Sequence, residues 1–192
     1  MRIDQKLNFV FPIETPNHGT AYVYSMPVGR IVFESFYSVL GKVFTTCFEG
    51  EDPKHIALTA PQVAYPALKK LAMSTNTWEG QDGVKMGLIN EIVRLTTIVF
   101  AGENGWENLP MDVVVKRGIF DEDCEAEVLS ALVFFTSISK VAPKTLAGTF
   151  LEMAGSLRDW RFTSLGCTEF TNSLQTSTGE PSTIEKQSQV IS

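Results

Sequence analysis

The chain has 192 residues, of which 44% are hydrophobic and 20% are charged, a composition typical of a folded domain. A chain of this length can bury a sizeable core without disulfides or a structural metal. Its 16 Lys and Arg against 22 Asp and Glu give a formal net charge of −6. We therefore predict no nucleic-acid partner, because phosphate backbones are bound by basic surfaces.

The sequence also predicts no membrane partner. The longest charge-free run of its helical half, Val128 to Ser139, falls well short of the ~20 residues that a membrane-spanning helix needs. Near the N-terminus, Asp4 and Lys6 precede any apolar stretch, so we expect no signal peptide.

In chain order, the first predicted element is a β-hairpin. Residues 6 to 13 and 20 to 26 are rich in β-branched and aromatic side chains and flank the turn formers ETPNHG. Tyr22 and Tyr24 share one face of the second strand, and we expect one side of the hairpin to pack on helices. Pro12 indicates that the first strand is an edge or ends there.

After the hairpin, apolar residues recur at helical spacing. We predict five or six helices, over about residues 30–48, 60–74, 84–100, 110–118, 121–141 and 144–158. Pro66 is expected to kink the second helix. The broad apolar face of the fifth helix, which includes Val128, Leu132 and Phe135, predicts a central and mostly buried position.

From Thr171 to Ser192, nine of 22 residues are Ser or Thr and none is aromatic. Such a composition predicts a disordered tail over residues 171–192, since it buries too little surface to offset the entropy of ordering. Residues 1–170 are expected to form a single, mainly helical domain. The predicted fold class is α+β, with an N-terminal β-hairpin (a small sheet) followed by a bundle of five or six helices.

Cysteine and histidine usage points away from metal and redox chemistry. Cys47, Cys124 and Cys167 are widely separated and form no C-x-x-C pair, so we predict neither a disulfide framework nor a zinc site. Core packing is the simplest role for Cys47. A Cys–His dyad that uses His18 or His55 is the alternative, because such partners need only meet in the fold.

Other motifs also favour structural roles. The acidic run at the start of the fifth helix could hold a divalent cation, but carboxylates in a first turn are favoured there by the helix dipole. This run comprises Asp121, Glu122, Asp123, Glu125 and Glu127. The glycine-bearing loops TWEGQDG and GENGWEN lack the Lys-Ser or Lys-Thr of a phosphate-binding loop. We predict no catalytic, cofactor-binding or metal site and no cofactor. An enzyme that acts through buried acidic residues is an alternative hypothesis.

Trp78 and Trp106 lie beside glycines in those two loops. A large aromatic side chain in such a place either closes the end of the core or anchors a partner. Both interpretations are retained, and the two tryptophans are the candidate partner-binding residues.

The predicted hairpin and four segments that follow it together resemble the tail assembly chaperones of tailed bacteriophages, over about residues 5 to 178. The four segments are SMPVGRIVFESFYSVLGKVF, GLINEIVRLTTIVFAGENGWENLP, ALVFFTSIS and SLGCTEFTNSL. The resemblance implies a non-enzymatic protein of the host cytoplasm that binds the long, helical, aggregation-prone tape measure protein and helps recruit tail tube subunits. It also implies a flexible C-terminal extension, often accompanied by a longer product of ribosomal frameshifting.

No binding residue can be carried over from that family position by position. Assembly factors that coat a long partner often self-associate, so a homo-oligomer, with a symmetric dimer as the usual first guess, is expected. The alternative function is that of a virion structural protein, such as a tail or head-completion component.

Overall fold

The computed structural model describes residues 8–16, 18–49, 53–102, 105–141 and 144–177. Within these residues the chain forms one five-stranded sheet and eight α-helices. The strands are β1 (Asn8–Thr15), β2 (Gly19–Ser25), β3 (Thr96–Gly102), β4 (Gly105–Pro110) and β5 (Arg161–Thr163). The helices are α1 (Arg30–Ser35), α2 (Tyr37–Cys47), α3 (Pro53–Ser74), α4 (Asn90–Arg94), α5 (Met111–Lys116), α6 (Glu122–Val141), α7 (Lys144–Arg158) and α8 (Cys167–Ser177). A π-helical turn, Lys85–Ile89, leads into α4.

The sheet is antiparallel throughout, with the strand order β4-β3-β2-β1-β5. The predicted hairpin, β1 and β2, lies inside this sheet, with Phe11 opposite Val23. β3 pairs with β2, and Tyr22 lies opposite Val99. The strands on either side of the hairpin therefore come from much later in the chain.

β5 pairs with only the first part of β1, from Asn8 to Val10. Beyond that point, residues 11–15 of β1 have no strand neighbour on this side among the described residues. Pro12 lies in this stretch, where its missing N–H breaks no ladder hydrogen bond. The expectation that β1 is an edge strand or ends at Pro12 is therefore wrong: β1 lies between β2 and β5 and continues to Thr15, and only its second half lacks a strand on the β5 side among the described residues.

The structure is α+β, but the predicted architecture of an N-terminal hairpin followed by a helical bundle is wrong. Strands β3, β4 and β5 follow helices in the chain and join the hairpin in a single sheet. Eight helices, in the described part of the chain, replace the five or six expected.

The main error concerns residues 84–100, which were expected to form one helix. Only the π-turn and α4 are helical there, and the Thr-Thr-Ile-Val-Phe run from Thr96 forms β3. β-Branched and aromatic residues favour strands. Because Ile98, Val99 and Phe100 are all buried, the run covers both faces of the strand and lacks the alternation that would have marked it. The segment GENGWENLP, expected to be a connector, contributes β4.

Two other helix predictions need correction. The helix expected over residues 30–48 is divided at Phe36 into α1 and α2. The helix expected over residues 60–74 begins earlier, at Pro53, and contains Pro61 as well as Pro66.

The first part of the predicted disordered tail is helical. α8 runs through Thr171, which is buried, to Ser177, while residues 178–192 lie outside the described part of the chain. Phe170 of α8 lies 5.9 Å from Tyr22 and 6.1 Å from Tyr24 between ring centroids. The abundance of Ser and Thr concealed this helix, which covers the face of the sheet opposite to the helical core.

α6 has the central position that its broad apolar face predicted. Its residues from Val128 to Ile138 are all buried, and the helix packs against α2, α3 and β1. Phe135 stacks on Phe9 of β1, with ring centroids 4.6 Å apart. The inner face of the sheet is therefore closed by α6, and α2 and α3 pack beyond it.

A serine of α6 forms hydrogen bonds with two backbone groups of α3 next to Pro66. Proline lacks an N–H, so the carbonyl of Gln62 loses its usual helical donor. The Ser130 hydroxyl donates to that carbonyl at 2.9 Å and accepts a hydrogen bond from the Tyr65 N–H at 3.1 Å. One buried hydroxyl thus satisfies a donor and an acceptor of the neighbouring helix.

We predict that Ser130→Ala lowers the free energy of unfolding by about 1–3 kcal/mol, because it leaves two backbone groups without their partner. Ser137→Ala on the same helix is the matched control, since the buried Ser137 hydroxyl has no hydrogen-bond partner among the residues that the structure describes. We expect the control to be neutral or stabilising. Urea unfolding of both variants measures the difference, and equal losses would contradict this role for Ser130.

Candidate partner-binding surfaces and a polar cleft

Trp78 closes one end of the core. It is 6% exposed, and its ring lies 6.1 Å from that of Tyr65 on α3. The Lys69 ammonium lies 5.9 Å from the Trp78 ring centroid, a cation–π contact. In this arrangement Trp78 presents little surface to a partner.

Trp106 lies elsewhere, on β4 at the edge of the sheet. It is half-buried and its ring packs 5.6 Å from that of Tyr22, on the face that α8 covers. The structure therefore does not bring the two tryptophans together into one site. Partner binding through either residue stays a prediction.

A more exposed apolar surface surrounds α1 and the π-turn, which pack together. The Phe36 ring lies against Gly87, where an added Cβ would meet it at 2.5 Å. Four exposed apolar side chains belong to α1, to the π-turn, to the first residue of α2 or to the segment leading to α1. These residues, here called the α1 surface, are Met26 (46% exposed), Ile31 (81%), Tyr37 (56%) and Met86 (51%).

The sequence analysis missed the α1 surface because it assigned residues 30–48 to one helix with a continuous apolar stripe. α1 and α2 meet at Phe36. Phe33 and Leu40 are buried in the core, whereas Ile31 and Tyr37 are exposed. Ile31 and Tyr37 did not follow the inward spacing, and that was the available signal.

The acidic run at the start of α6 caps the helix. Asp121 accepts a hydrogen bond from the Cys124 N–H at 2.8 Å, and this bond holds the pKa of the Asp121 carboxyl below its usual value. Among the described residues, no three His, Cys, Asp or Glu side chains come together in a way that could hold a metal ion. None of the described helices combines the length and the apolarity that crossing a membrane requires.

Cys47 and Cys124 are buried thiols. The Cys47 thiol points to the Ala60 carbonyl at 3.9 Å, and the Cys124 thiol donates to the Glu14 carbonyl at 3.4 Å. Burial raises the pKa of each thiol to about 11. At neutral pH both are protonated and poor nucleophiles.

The alternative of a Cys–His dyad gains no support from His18, whose ring packs against Phe100 at 5.3 Å between centroids. The side chain of His55 lies outside the described part of the structure.

A cleft of about 200 Å³ opens where β5 ends and β1 continues. Aromatic and proline side chains form its apolar wall, and three polar side chains complete it. Its lining residues are Phe11, Pro12, Pro61, Gln62, Glu127, Ala131, Arg158 and Trp160. Sequence spacing could not reveal this cleft, since its walls come from β1, α3, α6, the last residue of α7 and the segment after it.

Comparisons with protein-family models, with curated proteins and with solved structures find no match to this chain. The resemblance of four sequence segments to tail assembly chaperones therefore stays a hypothesis.

The buried thiols yield a test of the core. We expect Cys47 and Cys124 to react with iodoacetamide at pH 8 on the order of 100-fold more slowly than in the urea-unfolded chain, because each pKa of about 11 leaves little thiolate. The half-buried Cys167 is the internal reference and should be alkylated first. Mass spectrometry of tryptic peptides gives the three rates, and native labelling of Cys47 at the unfolded rate would contradict its placement.

Proposed function

We propose that this protein is a non-enzymatic tail assembly chaperone of a tailed bacteriophage. In this role it binds the tape measure protein in the host cytoplasm and helps to recruit tail tube subunits. The resemblance of the four sequence segments supplies the family hypothesis. The α1 surface is the structural observation that carries the proposal.

The α1 surface has the chemistry that a helical, aggregation-prone partner requires. Methionine side chains adapt to differently shaped apolar partners, and an exposed aromatic side chain supplies a large contact area. Ile31 is 81% exposed, although burial of such a side chain is favourable by about 1.5–3 kcal/mol. Covering this surface with the apolar face of a partner helix would recover that free energy.

Charge contributes little to the proposed contact. Arg30 on α1 is already paired with Glu34, with a nitrogen–oxygen distance of 2.6 Å. Both side chains are exposed, so the pair is screened by solvent and salt. We therefore expect the complex to survive moderate salt, unlike one held by opposite charges.

The test is an affinity pull-down of the tagged full chain from phage-producing cells, with the bound proteins identified by mass spectrometry. We expect the tape measure protein to be recovered with the wild-type chain in 0.5 M salt, about the level at which exposed ion pairs are screened. Ile31→Glu and Met86→Glu should each reduce that recovery at least about tenfold, because they place a charge in an apolar contact. Trp106→Ala tests whether Trp106, which lies on the face of the sheet that α8 covers, contributes to partner binding.

Met73→Glu is the matched control, since Met73 is 60% exposed on α3, outside the α1 surface. It should leave recovery of the tape measure protein unchanged. Thermal unfolding followed by circular dichroism checks that all variants are folded. Stoichiometric copies of the chain in purified particles, without recovery of the tape measure protein, would overturn the proposal in favour of a virion structural protein.

A further inference from the structure

Among the described arginines Arg158 is the partly buried one, whereas Arg30, Arg94, Arg117 and Arg161 are exposed. Arg94 and Arg161 form ion pairs with Glu91 and Asp159, at 2.7 Å and 2.9 Å. Arg158 is half-buried at the cleft, and no ion pair is formed by it within the described residues. Its Nη2 donates to the carbonyl of Leu58, and its buried Nε has no hydrogen-bond partner in the described part of the chain.

A cation in this position is poorly compensated. Removal of a guanidinium from water costs free energy unless an anion or several acceptors replace the water. Burial accordingly holds the pKa of Arg158 below its ordinary value, while the negative charge of Glu127 acts in the opposite direction. Glu127 lines the same cleft but stays beyond ion-pair distance in the described structure.

The other residues that line the cleft indicate the size and chemistry of the apolar part of a ligand. Phe11 and Trp160 are buried aromatic residues, and Pro12 and Pro61 add rigid apolar surface. An apolar cavity of roughly 150 Å³ can accommodate a benzene ring. The cleft of about 200 Å³ therefore has room for one ring together with a small polar group.

We propose that this cleft binds a single carboxylate attached to an aromatic or other apolar body, with Arg158 as the carboxylate partner. The positive charge of the guanidinium attracts a carboxylate, and a hydrogen bond between charged partners is stronger than one between neutral groups. Glu127 restricts the ligand to one negative charge, because a dianion such as phosphate would be repelled. The carboxylate comes from a free aromatic acid or from a Glu side chain beside an apolar residue in a peptide.

This inference is independent of the chaperone proposal, since the cleft contains none of the residues of the α1 surface. The test titrates the ¹⁵N-labelled full chain with phenylacetate and, in a second arm, with the blocked dipeptide acetyl-Phe-Glu-amide. The Trp160 indole N–H signal, assigned with Trp160→Phe, reports binding, while the signals of Trp78 and Trp106 serve as internal controls. Selective response to one probe distinguishes the two sources of the carboxylate.

We expect a dissociation constant on the order of 1 mM for the preferred probe. Phenylacetamide, which has the same ring without the charge, should bind at least about tenfold more weakly, as should inorganic phosphate. Arg158→Met should abolish the response. Arg161→Gln, which removes the same charge from an arginine outside the cleft, should leave it unchanged.

Because Arg158→Met also removes the bond from α7 to α3, Glu127→Gln provides a second test that retains this contact. The loss of a competing negative charge should tighten carboxylate binding several-fold. Equal responses to phenylacetate and phenylacetamide would overturn the role of Arg158. The proposal as a whole would be overturned if neither the wild type nor Glu127→Gln responded to either carboxylate at about 10 mM, ten times the expected constant.

Discussion

The packing of α6 against α3 is the constraint on which the rest of the fold depends. α3 carries two prolines, and its backbone next to Pro66 needs a partner outside its own helix. Ser130 supplies that partner only if α6 lies at one height and one rotation beside α3. Hydrophobic burial draws the two helices together without direction, whereas these directional bonds select one register.

With α6 fixed in this way, its remaining sides determine where the other elements can lie. Phe135 faces β1, and Phe134 stacks toward Phe48 beyond α2 with ring centroids 6.3 Å apart. The sheet therefore closes one side of α6, and the early helices close another. The surfaces available for recognition lie outside this packing, on α1 with the π-turn and at the cleft beside the end of β5.

Elements whose pattern lies within one segment of the chain were predicted from the sequence, whereas contacts between distant segments were not. The hairpin and α6 were predicted because their apolar periodicity and turn residues act within one segment of the chain. The register of β5 on β1 depends on three residues, Arg161–Thr163, which are too few to produce a pattern. β3 was mistaken for a helix because burial on both faces removes the alternation that identifies a strand.

The same limit applies to the candidate sites. Trp78 and Trp106 were candidate partner-binding residues because they are large aromatic residues beside glycines. The fold, however, buries Trp78 almost completely. Arg158 gave no sequence signal, since the partial burial of its side chain depends on residues that are distant in the sequence. The helix-cap interpretation of the acidic run is confirmed for Asp121, because its bond to the Cys124 N–H lies within one turn of chain.

β5 pairs with only three residues of β1, and this limited pairing also affects the tendency of the protein to aggregate at high concentration. An uncovered strand edge offers a template for β-sheet growth between molecules, the first step toward aggregates. Along this part of β1 the edge is partly occupied, because the Glu14 carbonyl accepts a hydrogen bond from the Cys124 thiol and Pro12, which has no N–H to donate, lines the cleft. A substitution of Pro12 that restored a hydrogen-bonding residue would therefore expose the protein to misassembly, even if the folded monomer lost no stability.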